Sequence, residues 1–122
     1  MFKLKNKNLY ISRTESGKVI IKRKDSSKIS ELDIKELRIY NKDALDEAPI
    51  VIIQGKYLDS EDKTTIYFDL GEFTNLDANT IEYSNEPVEY WYEIRISDNI
   101  VVGYDDAKAK SLFLYPAGID KK

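Results

Sequence analysis

Two residue types are missing altogether: the 122-residue chain has no cysteine and no histidine. Without cysteine no disulfide can staple the fold, so its stability has to come from packing. Without either residue the usual zinc sites, cysteine nucleophiles, and serine or cysteine chemistry that leans on an imidazole are excluded. Glycine is sparse and scattered, at Gly17, Gly55, Gly71, Gly103 and Gly118, so no glycine-rich cradle for a nucleotide phosphate is present. No apolar run approaches the roughly 18 residues that a membrane span requires. The N-terminal Met1-Phe2-Lys3-Leu4-Lys5-Asn6-Lys7 has the charge of a signal n-region, but no apolar h-region follows it. The expectation is a protein made in a cytoplasm and kept there or assembled into something larger.

What is present is enough to fold. Hydrophobic residues make up 42% of the chain and charged residues 34%, which describes one globular domain with a heavily solvated exterior. The net charge of −3 hides an asymmetry. Residues 1–28 carry nine Lys or Arg against Glu15 and Asp25, a net +7, while the remainder carries ten basic against twenty acidic residues, a net −10. A basic segment raises the question of phosphate binding. Lys18, Lys22 and Lys24 equally suit the solvated side of a strand, and the acidic majority would repel a duplex. Nucleic acid is therefore disfavoured as a partner.

Hydrophobic alternation organises the chain. Asn8 to Ser12 reads as an edge strand, followed by the turn Thr14-Glu15-Ser16-Gly17, where Gly17 offers the permissive backbone. Lys18 to Arg23 is a strand with Val19 and Ile21 on one side. Residues 29–40 mix periods: Ser30 to Lys35 could form one helical turn, and Glu36 to Tyr40 alternates as a strand. A polar, acidic loop runs from Asn41 to Pro49. The β-branched run Ile50 to Tyr57 reads as one strand in which Gly55 marks a bulge. Leu58 to Lys63 is a hairpin turn into Thr64 to Leu70, where Ile66, Phe68 and Leu70 share a face. Gly71 to Asn79 holds a turn with a short helical piece. Ser97-Asp98-Asn99 turns into Ile100 to Val102, and a last strand, Ser111 to Tyr115, stops at Pro116. About seven short strands with turn signals between them predict an all-β fold, a small antiparallel β-sandwich of immunoglobulin-like type with at most one short helical turn. The expected organisation is a basic arm over 1–7, the sandwich over 8–116 and a flexible tail over 117–122.

The most regular stretch is Val88-Glu89-Tyr90-Trp91-Tyr92-Glu93-Ile94-Arg95-Ile96. Its period of two places Val88, Tyr90, Tyr92, Ile94 and Ile96 on one face and Glu89, Trp91, Glu93 and Arg95 on the other. Trp91, the one tryptophan, stands among charges. Alternation argues that it faces outward, and its size argues that it is buried in the sandwich; both readings stay open here. If Tyr92, Leu112 and Leu114 face in, Trp91, Phe113 and Tyr115 face out together. Aromatic side chains of this kind anchor protein interfaces and stack on sugar rings. The candidate contact patch is Trp91, Glu89, Glu93, Arg95, Phe113 and Tyr115. As a catalytic pair Glu89 and Glu93 are poorly placed, roughly 13 Å apart by strand rise, and solvated charges flanking Trp91 are the simpler reading. Asp59-Ser60-Glu61-Asp62 offers oxygen ligands in a loop but lacks the count and the glycine of a calcium loop. Asp105-Asp106 offers fewer. No catalytic residue, metal ligand or cofactor is assigned.

The strand order resembles the immunoglobulin-like N-terminal domain of the baseplate upper protein of phages that infect Gram-positive bacteria. The elements that carry the resemblance are the turn Arg13-Thr14-Glu15-Ser16-Gly17 before Val19 to Lys22, then Leu37 to Tyr40, the acidic loop, and Pro49 to Lys56. Thr64-Thr65-Ile66-Tyr67-Phe68-Asp69-Leu70 and the aromatic Tyr90-Trp91-Tyr92-Glu93-Ile94 follow, and a hairpin into a final apolar strand closes the match, from about residue 8 to 116. That family continues into segments that trimerise or bind host polysaccharide, so the resemblance implies a stand-alone companion in a virion tail or baseplate. Its partners would be other tail proteins or copies of itself, with no membrane involved. A second expectation is a module that binds a carbohydrate or a host protein, including a host-defence enzyme that it inhibits, through Trp91, Phe113 and Tyr115.

Overall fold

The computed structural model describes residues 3–5, 8–22, 28–44, 46–59, 61, 63–76, 86–97, 99–102 and 110–116. Among them are ten strands and one helical turn: β1 (Lys3–Lys5), β2 (Asn8–Ser12), β3 (Lys18–Lys22), β4 (Lys35–Asn41), β5 (Val51–Gln54), β6 (Lys56–Tyr57), β7 (Thr65–Asp69), α1 (Gly71–Thr74), β8 (Val88–Ile96), β9 (Asn99–Val102) and β10 (Lys110–Tyr115). They form a seven-stranded sheet in the order β1-β2-β10-β8-β4-β5, with β9 beside β8, and a three-stranded sheet in the order β3-β7-β6. The run β10-β8-β4-β5 has the G-F-C-C′ order of an immunoglobulin-like sandwich, and β3-β7-β6 has its B-E-D order. The fold is thus all-β, as the alternation predicts, with one departure: β2 and β10 run parallel.

Alternation explains the core. β8 turns Tyr90, Tyr92, Ile94 and Ile96 inward, β4 adds Leu37 and Ile39, β10 adds Leu112 and Leu114, and β2 adds Leu9 and Ile11. From the smaller sheet come Val19, Ile66 and Phe68. Leu70 and Phe73, on either side of the start of α1, close one flank, and the Phe73 ring meets Tyr90 edge-on at 5.2 Å. Such large side chains supply the inter-sheet cohesion that no disulfide is present to provide.

Several local expectations are corrected. Asn8–Ser12 is not an edge strand, because Lys3–Lys5 pairs antiparallel with it on one side and β10 on the other. Part of the expected basic arm is therefore sheet. Ser30 to Lys35 forms no helical turn. Ser30 and Asp33 close a tight turn by exchanging bonds, the Asp33 carboxylate accepting from the Ser30 N–H and the Asp33 N–H donating to the Ser30 carbonyl, both at 3.0 Å. The Lys35 ammonium then caps the carbonyls of Ser30 and Asp33 at 3.1 and 3.0 Å. These side-chain bonds give the backbone an alternative to the helix. Left-handed backbone in the first turn falls on Thr14 (φ 66°), a residue that the sequence did not single out for it. Thr14 is held there by its N–H bond to the Thr74 carbonyl at 3.1 Å. The expected tail over 117–122, the pair Asp105-Asp106 and the end of the 71–79 turn lie outside the described residues.

The run Ile50 to Tyr57 is two strands in two different sheets. β5 pairs with β4, and β6 pairs with β7. Gly55 is the corner rather than a bulge, and its N–H bonds the Lys35 carbonyl at 2.7 Å. A Cβ there would lie 2.9 Å from Lys35 Cβ and 3.0 Å from Phe68 Cε1. Neither neighbour can swing clear, since one is anchored to β4 and the other is fully buried. Gly55→Ala is expected to lower stability by about 1–3 kcal/mol through overpacking, read as a shifted urea midpoint with an unchanged m-value. An unchanged midpoint would show that the corner has slack.

Candidate functional site

Because the odd and even positions of β8 are spoken for differently, the outer face of the larger sheet follows from register. Tyr40, Trp91 and Ser111 lie side by side on β4, β8 and β10. Next to them Glu89, Phe113 and Tyr10 form a second row across β8, β10 and β2. Arg38 stands beside Glu93, Glu36 beside Arg95, and Ser12 beside Tyr115. All six predicted patch residues therefore share one face. The two readings of Trp91 resolve in favour of that face, where it is half-buried among its neighbours, while Tyr90 and Tyr92 occupy the core.

The face has an apolar part and a polar part. Phe113 stacks on Tyr10 with ring centroids 5.1 Å apart and planes within 10°, a favourable offset aromatic contact. Tyr115, also half-buried, continues that side. Tyr10 was missing from the sequence patch, yet Leu9 and Ile11 flanking it as core residues would have found it by the same alternation.

The polar part is more tightly bound than solvated charges would be. Glu93 is only 2% exposed although it stands on the outward face. Its Oε1 accepts from the Tyr40 hydroxyl at 2.8 Å and from Arg95 Nε at 3.0 Å. Burial, reinforced by the bond to Glu93, holds the Tyr40 hydroxyl above its usual pKa, against the pull of nearby Arg38. Glu36 in turn accepts from Arg38 through both Nε and Nη2, at 2.9 and 2.6 Å. Glu89 accepts from the Ser111 hydroxyl and pairs with Lys42 at 3.3 Å. The Ser111 bond, followed by Lys42 and a bond from Trp91, holds the Glu89 carboxyl below its ordinary pKa despite partial burial. Glu93 is thus a buried structural acceptor and Glu89 an engaged one. Tyr40, Lys42 and Ser111 are the partners that reading β8 alone could not supply, since each comes from another strand or loop.

Among the described residues no cluster of three or more metal-ligating side chains occurs, and no helix is long and apolar enough to cross a membrane. No family model matches the chain, and neither a curated protein nor a solved structure matches it.

Two outcomes test this network. Tyr40→Phe strips a buried carboxylate of one donor and is expected to cost about 1–3 kcal/mol in denaturant unfolding; a cost near zero would mean water replaces the hydroxyl. Ser111→Ala raises the Glu89 pKa toward its ordinary value. A depressed carboxylate contributes stability that is fully present above its unfolded pKa and is lost as pH falls through the folded one. The stability gap between wild type and Ser111→Ala should therefore be constant above pH ~5 and narrow below pH ~4, followed by urea unfolding at a series of pH values. A gap that stays constant through that window would remove Glu89 from the explanation.

Proposed function

We propose that this protein is a non-enzymatic interaction module of a phage or prophage tail or baseplate, acting by protein-protein assembly within the virion. The observation that carries the assembly reading is the outer face of the larger sheet. It brings Tyr10, Phe113, Tyr115 and Trp91 onto one rigid surface beside the charges of Glu36, Arg38, Glu89 and Arg95. Interfaces combine such aromatic anchors with an ion-paired rim. The anchors stand on central strands hydrogen-bonded on both sides, so little conformational entropy is lost on docking. The placement in a tail or baseplate rests on the resemblance in strand order and on nothing else.

A second reading is favoured by the surroundings of Trp91. The indole is flanked by the hydroxyl of Ser111 and the carboxylate of Glu89, with the Lys42 ammonium beyond. An aromatic plane beside hydrogen-bonding groups suits a sugar ring, so the same face would serve a carbohydrate-binding module. A host protein, including a host-defence enzyme, is the other ligand of this class.

Trp91 is the sole tryptophan, so its emission reports on this face alone. Assembly through the face predicts an emission change as protein concentration rises, in step with mass growth by light scattering. Both should be weakened by Phe113→Ser. Quenching by oligosaccharides at constant monomer mass would transfer the face to the second reading. Emission and mass that respond to neither titration would remove this face from both.

A further inference from the structure

The open sides of the two sheets are not equally defended. Unpaired strand edges invite pairing with another chain, and lysines on them discourage it. β1 carries Lys3 and Lys5, β3 carries Lys18 and Lys22, and β6 carries Lys56. β5, the edge of the larger sheet, reads Val-Ile-Ile-Gln and carries no charge. β9 is uncharged too, but the residues that follow it are outside the described set.

Among the described residues no strand pairs with the outer side of β5. Gly55 donates to the Lys35 carbonyl at 2.7 Å, so strand alternation turns Ile53 toward β4 and leaves the N–H and C=O of Ile52 and Gln54 facing the open side. The side chains beside that edge are apolar and uncovered: Ile52 is 40% exposed and Ile34, just before β4, is 48% exposed. The ends of β5 differ in charge. Asp43, Asp46 and Glu47 are exposed in the loop before it, and Lys56 is exposed immediately after it.

We propose that β5 pairs antiparallel with the β5 of a second copy of this chain, joining two larger sheets across a two-fold axis. Ile52 of each copy stands opposite Gln54 of the other, so the four open backbone groups on each strand are satisfied at once. The axis brings the Ile52 side chains of the two copies onto one face. It also carries each Lys56 to the end of the partner's strand where the acidic loop begins, a complementarity that parallel pairing would forfeit. Asp59 and Glu61 lie farther along, in the turn after β6. This inference rests on the assembly reading and adds a second contact surface, the β5 edge, beside the aromatic face.

The test uses the full chain. Ile52→Lys places a lysine on the edge as β1, β3 and β6 have, on a side chain that already faces solvent. It is expected to raise the dimer dissociation constant by more than ~10-fold with unchanged thermal unfolding at dilute, monomeric concentrations. Ile20→Lys, at an exposed position of β3, serves as the control and should leave the dimer intact. Because the chain has no cysteine, cross-linking gives an independent measurement. Mixing the Ile52→Cys and Gln54→Cys proteins under mild oxidation should trap a mixed disulfide dimer, since directly opposed strand positions meet disulfide geometry. Ile20→Cys should not cross-link. A dimer that survives Ile52→Lys and gives no mixed cross-link overturns the β5 contact while leaving assembly standing through another surface. A wild type that stays monomeric at every concentration overturns the β5 contact and self-assembly together.

Discussion

The nine residues of Val88–Ile96 have to satisfy two opposite surroundings at once, and the rest of the sandwich is arranged around that requirement. One face must be dry, because Tyr90, Tyr92, Ile94 and Ile96 are large and fully covered. The other must hold Glu89, Glu93 and Arg95 without leaving a charge stranded. A strand with period two can do both only if each neighbour keeps strict register, since a slip of one residue would exchange the faces. β4 pairs along seven of its residues and β10 along five. The Tyr92 hydroxyl shows the severity of the inner environment, its pKa driven far upward by burial.

Register also explains why a carboxylate can be buried on the outward side. Glu93 is not opposite another acid; it stands beside Arg38, with Tyr40 and Arg95 within bonding distance. A buried charge is tolerable when its hydrogen bonds are made in place. The pairs Glu93 with Arg95 and Glu36 with Arg38 each link residues two apart on one strand. Those ion pairs are encoded locally, whereas Tyr40 arrives only through the β4–β8 pairing. The polar surface is therefore a consequence of the sheet order, and it favours that order in return.

This division marks how much was legible beforehand. The faces of β8, the apolar side of β7 and the short helical turn at Gly71–Thr74 follow from spacing alone, because period and turn chemistry are local. The outward grouping of Trp91, Phe113 and Tyr115 follows from the same rule. Trp91 itself could not be settled from size against alternation; alternation wins because Tyr90 and Tyr92 already fill the core positions on either side. The hidden parts depend on partners distant in sequence. The split of Ile50 to Tyr57 at Gly55 is invisible without Lys35 and Phe68 crowding the corner. The burial of Glu93 is invisible without Tyr40, and the inner position of Asn8–Ser12 depends on a parallel strand that is 103 residues away at its Ser111 contact.

The charge asymmetry of the chain takes on a different meaning once strands are ordered. Four of the basic residues that set residues 1–28 apart, Lys3, Lys5, Lys18 and Lys22, fall on β1 and β3, which terminate the two sheets. On β3 the exposed Lys18 and Lys22 keep open backbone solvated and repel a like edge. A basic N-terminal quarter suits a chain whose early strands end up at sheet margins, and the Lys18 ammonium over the Tyr67 ring shows one such lysine lying along the strand beside it. The acidic remainder includes the loop that leads into β5, a margin without a lysine. Among the described strands charge follows sheet position: lysines stand on the margins β1, β3 and β6, and none stands on β5 or β9.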